Sequence, residues 1–264
     1  DRFDVPVFPL KRVSERAHAE GGLIDLEKHN WNWSAPIVPV LKPDLFELAN
    51  NHHWRVEFGV RNWAVPAPAW MKLPGNGSGT DTEEAWTHYG FETYYALLNC
   101  GFRLKPTAGT ANGVHPVPLG FSRVYVHCEG GFSYEKWMKG LGEGRSFVTT
   151  GPMVMAKANG KHAGAEFRSK APLELSFEIE AGFIPSAASY ALLSIQAVQN
   201  GKVLTNAAAF LGEPSVKGLQ RLTFKVPFAE SGWVALRAEM MCSGLRFAHT
   251  APWWVEIEGK PLRP

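Results

Sequence analysis

The amino-acid sequence predicts a two-part fold, an α/β domain over residues 1–153 followed by an antiparallel β-sandwich over residues 154–264. Three observations carry this. The stretch Phe121 to Val154 reads as strand, helix, turn and strand in one dense unit. Upstream of it, apolar runs end repeatedly in clusters of polar and aromatic residues, the texture of strand ends in α/β folds. Downstream of Pro152 the chain changes to short alternating strands separated by Gly, Asn and Pro turns.

Taken in order, Phe8 to Glu20 has the mixed pattern of a short amphipathic helix, stopped by Gly21-Gly22. Leu23 to Leu26 reads as a buried strand and runs into Glu27-Lys28-His29-Asn30-Trp31-Asn32-Trp33-Ser34. Pro43 to Leu48 leads to a second such end, Asn50-Asn51-His52-His53-Trp54-Arg55. The Pro- and Gly-rich segment 66–80 has no periodicity and predicts a surface loop. Glu83 to Gly101 is the strongest helix, with Trp86, Tyr89, Phe91, Tyr94, Tyr95, Leu97 and Leu98 as its apolar surface. Phe102 to Pro118 follows as a further strand and strand end. Arg123 to His127 alternates like a half-buried strand, Ser133 caps a helix bearing Tyr134, Trp137, Met138 and Leu141, and Gly142 and Gly144 stop it. Phe147 to Thr150 re-enters a sheet, so the unit reads as a β-α-β crossover, closed by Gly151-Pro152. In the second half the clearest strands are Leu173 to Glu180, Tyr190 to Gln199, Arg221 to Pro227, Gly232 to Glu239 and Trp253 to Ile257. Asn200-Gly201 is a strong hairpin signal.

The unit around Arg123 to Val126, Trp137 and Gly144 to Pro152 resembles the closing part of the catalytic domain of PHP (polymerase and histidinol phosphatase) metallohydrolases, in the branch similar to carbaryl hydrolase. Phe247 to Pro252 resembles a motif of its C-terminal domain, and the resemblance spans roughly residues 20 to 260. It implies a partial or divergent PHP-type β/α barrel ahead of the sandwich. It also implies a zinc or manganese ion that activates a water for attack on an ester, carbamate or phosphoester. The sequence departs from the family in two places. It contains no H-x-H, and Ala111 and Gly113 stand where the family's strand end carries the metal-binding Asp and His. The chain begins at Asp1 and reads as the later part of a longer protein. A secretion signal removed with upstream residues would make it secreted or periplasmic.

The net charge of +2 is small and the basic residues are scattered, which excludes a phosphate-tracking groove or a polybasic membrane patch and leaves a small molecule as the expected partner. Three cysteines, far apart, build no disulfide framework. No Walker loop, dinucleotide fingerprint or serine-hydrolase elbow is present.

The candidate metal ligands are His29, His52 and His115, and the candidate proton-transfer groups are Glu27 and His53. Adjacent strand residues point to opposite faces, so only one of His52 and His53 can look into a given pocket. Trp31, Arg55, Arg103, Arg123 and Arg145 are candidate substrate contacts, a ring wall and a set of cations for a carboxylate, phosphate or sulfate. The same residues also suit packing and capping roles. Three functions follow: a metal-dependent hydrolase, a non-catalytic protein binding a small sugar-like molecule on the same scaffold, and a scaffold using the sandwich as an interface.

Overall fold

The computed structural model describes residues 10–29, 31, 33–54, 67–71, 73–74, 82–111, 113, 116–183, 193–211, 218–241 and 244–262, with the backbone alone at 206–211. Helix α1 (Leu10–Ala19) precedes the short strand β1 (Asp25–Leu26), helix α2 (Ser34–Leu41) and strand β2 (Leu45–Ala49), which ends in a 3₁₀ turn at Asn51–His53. Helix α3 (Glu83–Asn99) leads to β3 (Lys105–Ala108). The unit β4 (Arg123–Val126), α4 (Tyr134–Gly142) and β5 (Ser146–Thr149) follows. Strands β6 (Met153–Ala158), β7 (Glu166–Ser169), β8 (Leu173–Gly182), β9 (Leu193–Gln199), β10 (Lys202–Leu211), β11 (Gln220–Phe228), β12 (Gly232–Met241), β13 (Leu245–Thr250) and β14 (Trp253–Ile257) complete the chain.

The fold is mixed: one small parallel sheet and two larger-span antiparallel layers. Strands β1, β2 and β3 form the parallel sheet in that order. A second sheet runs β10-β9-β12-β13-β5-β4, with β14 joined to β12 and β7, and a third runs β11-β8-β6. The β/α barrel implied by the family resemblance does not form among the described residues, since parallel pairing is confined there to β1-β2-β3 and the separate pair β7–β14, and no ring closes. The crossover expected from Arg123 to Thr150 is also corrected. Strands β4 and β5 pair antiparallel, Tyr125 opposite Phe147. The physical reason is that α4 does not run back along the sheet. His127 N–H bonds to the Arg145 carbonyl at 2.8 Å, so the chain leaves and re-enters at the same end and the helix is the loop of a wide hairpin.

Both faces of the second sheet are buried, as its central strand β12 records by being covered along almost its whole length. One face meets the β11-β8-β6 sheet across a sandwich core containing Phe177, Ile179, Val226, Ile195, Leu236 and Trp253. The other face packs on α3. Phe91, Tyr94, Tyr95 and Leu98 of that helix contact Val148, Val198, Trp233 and Phe247 on one side and Phe46 and Leu48 of the parallel sheet on the other. A helix buried on two sides must be apolar around most of its circumference, which is how Glu83 to Asn99 reads. Strand β5, at residues 146–149, pairs with β13 at residues 245–250, so the sheet continues across position 153. The segment Arg246 to Thr250 faces α3: Arg246 Nη1 lies 3.1 Å from Glu83 Oε1 and His249 Nε2 2.9 Å from the Tyr95 hydroxyl.

Candidate functional site

Parallel strands place their carboxyl ends at one edge, and ligand-binding side chains collect there. Register puts Asp25 beside Leu45 and Glu47 beside Thr107, so Asp25, Glu47 and Thr107 share a face of the sheet, while Leu26, Phe46 and Leu48 turn the other way. The Thr107 hydroxyl donates to Asp25 Oδ2 at 2.6 Å, and Asn50 Nδ2 donates to Glu47 Oε2 at 3.3 Å. Gly109, just past β3, leaves room for this carboxylate: a Cβ there would stand 3.2 Å from Glu47 Oε1.

Electrostatics sets these two carboxyls apart from ordinary ones. Burial pushes Glu47 up to about 7, against the attraction of Lys28 and the Asn50 hydrogen bond, with Glu27 and Asp25 adding to the rise. Asp25 is exposed as a residue at the sheet edge, yet burial of its carboxyl among neighbouring groups raises it to about 6, the Thr107 hydrogen bond opposing and Glu27 assisting. Two acids that exchange protons near neutrality, one buried and one reaching solvent, form an arrangement suited to general acid–base chemistry. Neither residue was among the sequence candidates. The signal was present: Glu47 is the only charged residue in the apolar run Leu45-Phe46-Glu47-Leu48-Ala49, and a carboxylate inside a fully covered strand is rare.

The sequence candidates distribute differently. Glu27 is exposed on the loop after β1, near enough to raise both acids. His29 is buried among rings, stacked on Phe46 at 5.0 Å and seated against Gly90, where a Cβ would come within 3.3 Å of Nε2. Burial lowers it to about 4, so it is a neutral core residue at neutral pH. His52 is half-buried, edge-on to Trp86 at 5.9 Å. His53 is buried and caps the turn. Its Nδ1 accepts the Asn50 N–H at 3.2 Å while the Asn50 side chain accepts from His52 N–H, a reciprocal cap that leaves His53 little freedom to move protons. Burial, then the nearby His29, drive its ring down to about 3.

Trp31 is exposed and packs edge-on to Trp33, rings 5.6 Å apart, at the rim before α2. Arg103 pairs with Glu166 at 2.9 Å and lies 4.4 Å over the Trp254 ring, tying the α/β part to β7 and β14. Arg123 donates to the Gly120 carbonyl at 2.6 Å. Arg145 contacts Glu143 and borders a separate cleft between β4–β5 and the third sheet. Arg55 and His115 lie outside the described residues, as does most of the expected loop 66–80. Among the described residues no three His, Cys, Asp or Glu side chains converge so as to hold a metal ion. His29 and His52 are the described members of the expected ligand set.

No family model matches the chain, and no curated protein matches it. Solved structures give partial likenesses. The CARDB domain of the PF1109 protein from Pyrococcus furiosus is 14% identical over 40% of this chain and 86% of its own, with a TM-score of 0.26. A putative beta-galactosidase from Bacteroides fragilis is 10% identical over 38% of this chain and 15% of its own, with a TM-score of 0.25. A superoxide reductase (neelaredoxin) from Ignicoccus hospitalis is 18% identical over 42% of this chain and 82% of its own, with a TM-score of 0.22. At such scores these likenesses assign neither a fold family nor an activity to the chain.

Proposed function

We propose that the chain is a hydrolase of ester, carbamate or phosphoester bonds working at the carboxyl edge of the β1-β2-β3 sheet, with Asp25 and Glu47 as its acid–base pair. The observation that carries this reading is the pair of raised carboxyls on adjacent parallel strands. Asp25, the lower of the two and open to solvent, takes the proton of the attacking water. Glu47, the higher, holds a proton near neutrality and gives it to the departing oxygen. Thr107 orients Asp25, and Asn50 holds Glu47. The PHP resemblance supports the reaction class alone.

The reading is tested with p-nitrophenyl acetate, a p-nitrophenyl carbamate and bis-p-nitrophenyl phosphate, each assayed with chelator and with added zinc or manganese. Turnover of one substrate is expected, with kcat/KM rising through about pH 6 as Asp25 ionises and falling through about pH 7 as Glu47 loses its proton. Glu47→Gln is expected to lower kcat on the order of a hundredfold or more. Absence of turnover in every condition overturns the proposal. The packing and capping roles of His29 and His53 favour a second reading, a non-catalytic binding protein, which a ligand-induced rise in Tm without turnover would support.

A further inference from the structure

A second constellation lies away from the parallel sheet. Antiparallel register places Tyr125, His127, Arg145 and Phe147 on one face of the β4–β5 pair, the face turned toward the β11-β8-β6 sheet. Along that face Tyr125 stacks on Phe147 with centroids 5.1 Å apart and planes at 13°, and His127 stacks on His162 at 3.9 Å and 22°. Between them and β6 opens a cleft of about 850 Å³, within the size range of small-molecule sites, with Met155 and Lys157 on its far wall.

The polar groups select a class of ligand. Arg145 binds Glu143 through Nη1 and, with its side chain about a quarter exposed, lines the cleft. A guanidinium can only donate, so a ligand that meets its exposed edge does so with an acceptor. Lys157 adds a second cation. Of the carboxylates at the mouth, Glu180 is already paired with Arg221 at 3.0 Å, while Glu178 stands in register beside Lys157. Burial first, then the charges of His127, Lys157 and Arg145, hold His162 below its usual range, with Glu129 opposing; a neutral imidazole there donates one hydrogen bond without charge. Parallel ring pairs with an edge open to the cleft supply a stacking surface for a flat ligand.

We propose that this cleft is a binding site for a planar aromatic anion, its ring seated along Tyr125, Phe147 and the His127–His162 pair and its carboxylate held by Arg145 and Lys157. The site is independent of the strand-edge acids, and its occupant need not be their substrate. Isothermal titration of the full chain with acetate, benzoate, 2-naphthoate and the neutral 2-naphthamide tests it. Affinity is expected to rise from acetate to naphthoate, to fall roughly tenfold or more for the amide, and to fall similarly in Arg145→Gln. Met155→Trp, at a partly exposed position that tolerates bulk, is expected to block binding while leaving the Tm in place. Glu47→Gln is expected to leave binding unchanged. Equal affinity for naphthoate and naphthamide, undiminished binding in folded Arg145→Gln or Met155→Trp, or no binding of any probe overturns the proposal.

Discussion

Glu47 lies in a strand covered on both sides, and its raised carboxyl has a consequence for stability as well as for chemistry. In the unfolded chain a glutamate ionises near its ordinary value of 4.5, whereas in the fold it holds its proton to about 7. A group raised in this way contributes nothing adverse below 4.5, and stability falls as pH rises through 7. Glu47→Gln removes that dependence. Urea midpoints at pH 5 and pH 8 should show the variant gaining on the wild type at the higher pH, and a parallel response of the two proteins would refute the assignment. Gly164 is a different kind of constraint. Its φ of +84° and its position against the Glu143 carbonyl leave no space for a Cβ, which would overlap that oxygen. Gly164→Ala is expected to cost about 3 kcal/mol or more in urea unfolding, because the obstacle is backbone and cannot swing aside. His29 shows why some site expectations missed: a histidine beside tryptophans reads alike as a ligand or as a core ring, and only the approach of Gly90 on a distant helix decides it.

At the scale of the element, the turn at Asn200-Gly201 has φ values of 50° and 82°, the double left-handed backbone that a two-residue hairpin demands. Asn200 also accepts the Trp233 N–H on its Oδ1 at 2.8 Å and offers its carbonyl to Asn99 of α3, 3.1 Å away. Asn200→Gly preserves the turn and loses the side-chain bond, while Asn200→Ala loses both. Thermal or urea unfolding should therefore rank wild type above Gly above Ala, with a loss on the order of 1–3 kcal/mol for Ala; equal variants would show that the buried N–H dominates. This hairpin, α1, α3, α4 and the strands β8, β11, β12 and β14 were legible because local period, caps and turn residues agree with the final structure. Helix α2 was not, since Pro36 and Pro39 read as breakers, yet Pro39 stands inside it and Lys42 ends it with left-handed backbone. The direction of pairing between β4 and β5 was equally hidden, because strand periodicity is the same for parallel and antiparallel neighbours.

For the molecule as a whole, three buried histidines set the response to acid. Burial holds His29 at about 4 and His53 and His249 at about 3, whereas all three protonate near 6.5 when unfolded. Groups lowered in this way stabilise the fold above 6.5 and lose that contribution as pH falls toward 3. Asp25 and Glu47 act in the opposite sense between their ordinary values and about 6 and 7, joined by the raised Glu83 and Glu92, while the lowered His162 and Glu239 act with the three histidines. Maximal stability is therefore expected between pH 6.5 and 7, with a steep decline below pH 5, measured as denaturant midpoints; a protein as stable at pH 4.5 as at pH 6.5 would contradict it. The joining of β5 to β13 has a further consequence, for the order of events in folding. Val148 and His249 are direct partners, so the second sheet closes a loop of roughly a hundred residues whose entropy must be met before the pairing helps. On an emerging chain β5 waits with an unpaired edge until residue 250 has been made, and a ribosome stalled before that point would display a sticky strand to its neighbours.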